Sequence, residues 1–65
     1  MFKKNKFLAL LKEHNVSIEK VATIIGVSKT TLYRKINGES DFYRSEIQAI
    51  SRAFPDIEIE SIFFA

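Results

Sequence analysis

The sequence predicts an all-α protein, a compact four- to five-helix bundle forming a single domain over residues 1–65. Three observations lead there. Apolar residues recur at three- and four-residue spacing through most of the chain. Serine, glycine and an Asn-Gly pair stand where helices would begin and end. The residues flanking that Asn-Gly pair do not alternate as the strands of a hairpin would. Sixty-five residues lie near the lower limit at which a hydrophobic core alone offsets chain entropy, so few can be spared for an enclosed active site. A composition of 46% hydrophobic and 28% charged residues is that of a chain that folds. With no cysteine and one histidine, disulfides, thiolate metal sites and cysteine nucleophiles are excluded.

The first helix is expected from about Lys4 to His14, with Phe7, Leu8, Leu10 and Leu11 along one side and lysines on the other. Its basic start superficially resembles an export signal. The apolar run Phe7–Leu11 is only five residues long, however, stops at Lys12-Glu13-His14 and is followed by no small-residue cleavage site. No segment approaches the ~20 apolar residues of a membrane span, so the expectation is a cytoplasmic protein. His14, at the helix end, suits a capping surface role.

Asn15-Val16-Ser17 breaks the pattern, and Ser17 can cap a second helix with Ile18, Val21, Ala22 and Ile25 inward, ending at Gly26. Ser28 can cap a third helix reaching about Asn37, with Leu32 and Ile36 inward, and Asn37-Gly38 closes it. Glu39-Ser40-Asp41 form a polar loop, and Phe42 is expected to plug back into the core. A fourth helix follows from about Arg44 to Ala53, lined by Ile47, Ile50 and Phe54, and Pro55-Asp56 stops it. The tail 57–65 is open to two readings, of which a short fifth helix is favoured: Ile57, Ile59 and Phe63 alternate like a strand, while Ile59, Ile62 and Phe63 fit a helical turn.

Two short helices crossing steeply impose residue types at fixed offsets. A small residue must sit where they pass closely (Ala22), and a residue tolerant of positive φ must form the turn four positions on (Gly26). Aliphatic residues must then pin the turn and the second helix (Val27 and Leu32). All four stand in register, which makes residues 18–37 a helix-turn-helix with its second helix at about 28–37. Left outward on that helix are Lys29, Thr30, Tyr33 and Arg34, with Lys35 and Asn37 more peripheral. Such groups hydrogen-bond base edges, stack, or neutralise phosphates. The helix start at Ser28-Lys29-Thr30 adds backbone N–H groups suited to a phosphate.

The stretch Val21-Ala22-Thr23-Ile24-Ile25-Gly26-Val27-Ser28-Lys29-Thr30-Thr31-Leu32-Tyr33-Arg34-Lys35-Ile36-Asn37-Gly38 resembles the lambda-repressor-like (repressor/Cro, XRE-type) helix-turn-helix family. The helix before it and the Phe42 and Ile47/Ile50 pattern after it extend the similarity over nearly the whole chain. The resemblance implies a prokaryotic or phage transcriptional regulator that occupies a near-palindromic promoter operator as a dimer. It places base reading at Lys29, Thr30, Tyr33 and Arg34, and phosphate holding at Asn37, the exit loop and Arg44. Ile18 stands where many members carry a polar phosphate contact, so anchoring there passes to Ser17 or the backbone.

Charge is divided along the chain. Residues 1–37 hold eight cations and two anions, a net +6, whereas residues 38–65 hold two cations and six anions, a net −4. The N-terminal half is thereby suited to face a polyanion, although solvated faces that simply differ would give the same count. The acidic half is free to face a partner, and Ile59, Ile62, Phe63 and Phe64 supply apolar surface for a weak homodimer through the tail, by helix packing or strand pairing. The competing reading is a protein-interaction module, an antirepressor or polymerase-contacting domain, on the same fold without base readout. An enzyme is not expected: no nucleophile–base pair, metal cluster or Gly-rich phosphate loop is present, and Glu58 and Glu60 lack partners for a carboxylate dyad. No catalytic residue, metal, cofactor or small-molecule ligand is implied.

Overall fold

The computed structural model describes residues 2–63. Five helices follow one another: α1 (Lys4–Glu13), α2 (Ile18–Ile25), α3 (Lys29–Ile36), α4 (Arg44–Ala53) and α5 (Ile59–Phe63). The caps explain the boundaries. Ser17 Oγ accepts the Lys20 N–H at 3.0 Å and Ser28 Oγ accepts the Thr31 N–H at 3.1 Å, each satisfying a donor that a helix start leaves open. Glu46 does the corresponding work for α4 from inside the helix, its Oε1 accepting the Tyr43 N–H at 2.8 Å.

The first three helices end alike. After each, one residue takes a positive φ and the next N–H reaches five residues back: Val16 to Leu11 O (2.8 Å), Val27 to Ala22 O (3.0 Å) and Glu39 to Arg34 O (2.9 Å). The residues at positive φ are Asn15 (58°), Gly26 (75°) and Gly38 (84°). A Cβ at Gly26 or Gly38 would meet nothing within 4 Å, so glycine is favoured there by backbone conformation and not by lack of space.

Every helix contributes to one core: Phe7 and Leu11, Val21 and Ala22, Leu32 and Ile36, Ile50, and then Ile59, Ile62 and Phe63, joined by Ile57 from the preceding turn. α2 sits centrally against α3 and α4, and α5 closes the bundle against α4 and α1. The closure is aromatic. Phe42 plugs back as expected, its ring centroid 4.9 Å from that of Phe2 and 5.0 Å, edge-on, from that of Phe63. The Lys3 N–H donates to Ile62 O at 2.9 Å, so the first described residues lie against α5.

This closure corrects the expectation that the tail offers a dimer surface. Residues 59–63 form the short fifth helix, the favoured of the two readings. Ile62 is fully buried and Ile59 and Phe63 are 5% and 7% exposed within one chain. Ile62 and Phe63 therefore have no apolar surface left to offer a second copy. A domain of this size has too small a core to leave such side chains outside it. Phe64, the other residue expected at a dimer contact, lies outside the described residues.

Candidate nucleic-acid interface

α2 and α3 can cross closely because Ala22, 4% exposed, stands at the contact, and Gly26 turns the chain without strain. Val21 and Leu32, both completely buried, and Ile36, at 3%, then fix which way α3 is rotated. That rotation leaves Lys29, Thr30, Tyr33 and Arg34 exposed. Tyr33 is 42% accessible, which for an apolar ring on a small domain is a large exposed area. Among the described residues Lys29 and Arg34 have no carboxylate partner, the one ion pair being elsewhere. A cation left without an internal counter-ion on a helix face is available to a phosphate or a base edge.

The two capping serines differ. The Ser28 hydroxyl donates to Thr31 Oγ1 at 3.0 Å while its oxygen caps α3, so it is occupied within the protein. The Ser17 hydroxyl accepts from the Lys20 N–H, and its own O–H has no protein acceptor among the described residues. Of the two, Ser17 retains a donor for a phosphate.

Asn37 caps the exit of α3, and its side chain is held from across the fold: Lys4 Nζ donates to Asn37 Oδ1 at 2.7 Å. This brings the start of α1 beside the end of α3. Sequence reasoning omitted Lys4 from the site, yet a signal was present. The first turn of α1 holds no acid, and Lys3, Lys4 and Lys6 gather where the helix dipole disfavours cations. All three are exposed and lack a carboxylate partner among the described residues. Arg44 is exposed but set apart, lining a shallow groove with Ile47, Gln48, Ser51, Ile59 and Glu60 between α4 and α5.

Lys35 is a correction. Expected as a peripheral DNA contact, it is 5% exposed and turned into the protein. Its ammonium lies 3.0 Å from Glu46 Oε1, donates to Asp41 O at 3.0 Å and sits 4.3 Å from the centre of the Tyr43 ring. Two hydrogen-bonded acceptors and the Tyr43 ring over the ammonium leave it without reach to a phosphate. Lys35 follows Leu32 by three residues, and that spacing puts it on the edge of the inner face. The signal was legible but was outweighed by residue type.

Comparison with protein families matches the chain to the Cro/C1-type HTH DNA-binding domain over residues 6–60. Comparison with curated proteins and with solved structures gives no match. The matched span contains the whole helix-turn-helix, both serine caps, the α3 exit and α4. This family is a DNA-binding regulatory domain and not an enzymatic fold. The five-helix bundle, the register of Ala22, Gly26, Val27 and Leu32 and the matched span agree, and the chain belongs to the Cro/C1-type helix-turn-helix DNA-binding domains.

Proposed function

We propose that this protein regulates transcription in a prokaryotic or phage context, in the cytoplasm, by laying α3 in the major groove of a promoter operator. Lys29, Thr30, Tyr33 and Arg34 read base edges. Ser17, the first N–H groups of α3, and the Lys4–Asn37 pair hold phosphates on either flank, and Arg44 adds a weaker, sequence-independent attraction. The observation that carries this reading is the exposed polar stripe on α3, whose cations Lys29 and Arg34 have no carboxylate partner among the described residues, while the remaining recognition-helix cation, Lys35, is tied inward. DNA recognition by such motifs divides contacts in this way, phosphates setting position and base edges setting sequence.

Two copies act together. The longest dimension of the domain is 25 Å, shorter than the ~34 Å between successive major-groove faces on one side of the duplex. One copy thus reads one half-site, and a near-palindromic operator engages a weak homodimer. Selection from a random duplex pool supplies the operator. On it, Arg34→Ala is expected to lose about 1–3 kcal/mol relative to the parent, and little on random duplex. Equal losses on both duplexes would overturn base reading by Arg34, and a parent protein with no preference among duplexes would overturn the function.

A further inference from the structure

Lys35 and Glu46 form a buried ion pair at one end of the recognition helix, and no phosphate or base contact explains it. α3 packs against α2, and α4 against α2 and α5. The join between α3 and α4 is therefore left largely to the connector 37–43 and to this pair. The pair is well placed for the task. Lys35 lies in the last turn of α3 and Glu46 in the first turn of α4, their side chains 4% and 8% exposed.

Each end of the pair also grips the connector. Lys35 Nζ holds the carbonyl of Asp41, and the same Glu46 oxygen that meets Lys35 accepts the Tyr43 N–H. The Tyr43 ring, otherwise 65% exposed, covers the ammonium. The connector begins at Asn37, whose side chain meets Lys4, and it bears the exposed carboxylates Glu39 and Asp41. A connector free to move would let those carboxylates sample positions facing phosphates, and would let the end of α3 tilt. No buried side-chain polar atom in the described structure lacks a hydrogen-bond partner, and a network satisfied in this way resists rearrangement.

We propose that Lys35 and Glu46 are positioning residues for operator discrimination: they set the angle at which α3 and its exit loop meet DNA, without touching DNA themselves. The inference rests on the DNA-reading function of α3. Base contacts are short and directional, so a small tilt weakens them, whereas phosphate attraction is long-ranged and tolerates it. Burial of the pair is by itself weak evidence for stability, because desolvation offsets much of the attraction. A role in fixing geometry is what the satisfied network supports.

The test uses the full chain, the selected operator duplex and a random duplex, across a salt series, at a temperature where circular dichroism shows each variant folded. Lys35→Met alone strands a buried carboxylate and risks unfolding, so the decisive variant is Lys35→Met with Glu46→Gln. It removes both charges, keeps an acceptor for the Tyr43 N–H and keeps the volume of Lys35. The expected result is an operator-to-random affinity ratio about tenfold below the parent's, the size of one weakened base contact. Random-duplex affinity and the salt slope stay as in the parent, and Lys35→Arg restores most of the ratio. A salt slope reduced by about one would make Lys35 a phosphate contact and overturn the proposal. An unchanged ratio, with or without a lower melting temperature, would reduce the pair to a structural role and overturn it equally. A parent that binds both duplexes alike overturns the reading of α3 itself, a result visible before any variant is made.

Discussion

α3 and α5 are both short helices that the sequence offers as surfaces for a partner, and only α3 keeps that surface. In α3 the outward residues are polar or charged, so leaving them in water has no hydrophobic penalty, and the buried Leu32, Lys35 and Ile36 seat the helix. In α5 the candidate surface consisted of Ile59, Ile62 and Phe63, and each is worth about 1.5–3 kcal/mol when removed from water. The core is small, and α5 packs against both α1 and α4, so the chain's own tail completes it. Apolar surplus in a small domain is thus weak evidence for a partner, whereas unpaired charge on a helix that is already seated is better evidence.

The sharpest way to break this comparison is Ile62→Ala. A fully buried side chain truncated in the core is expected to cost about 2–5 kcal/mol, a large part of what a domain of this size has, and the loss should appear in urea or thermal melts at any protein concentration. Were the variant to melt as the parent does but sediment at lower mass, α5 would be an interface after all. A smaller effect is expected at the other helix. Ser28→Ala removes the α3 cap and should lower stability by about 1 kcal/mol, shifting the denaturant midpoint without changing its slope. No shift would mean that water replaces the hydroxyl. Smallest in stability, but informative for binding, is Lys4→Ala, which should change the melt by less than about 0.5 kcal/mol. It should lower the slope of log affinity against log salt by about one on operator and random duplex alike. An unchanged slope would remove Lys4 from the phosphate contacts.

Helices α1 to α4 were legible because their boundaries are local. Ser17, Ser28, Gly26 and Gly38 are recognised by what one residue does to its own backbone, and the structure places each at the expected helix end. The tail was legible only as the favoured of two readings, because Ile57 and Ile59 are both buried, one in a turn and one in a helix. Two buried residues spaced by two look like a strand regardless of cause. Lys4 and Lys35 were misplaced for a related reason. Their partners, Asn37 and Glu46, stand 33 and 11 residues away, and only the fold reveals which cation is caught inside and which lies beside the exit of α3.

The Lys29, Thr30, Tyr33 and Arg34 side chains rest on a helix held entirely from behind, by Leu32, Lys35 and Ile36. The consequence is evolutionary. Substitutions on an exposed helix face change stability by only about 0.5 kcal/mol either way, so these four positions can drift without endangering the fold. A duplicated copy of such a domain can change operator by a few replacements in one stripe, each intermediate still folded, and the same freedom makes the stripe the natural place to randomise when a new target sequence is sought. Lys35 lies outside that freedom, since replacing it would strand Glu46.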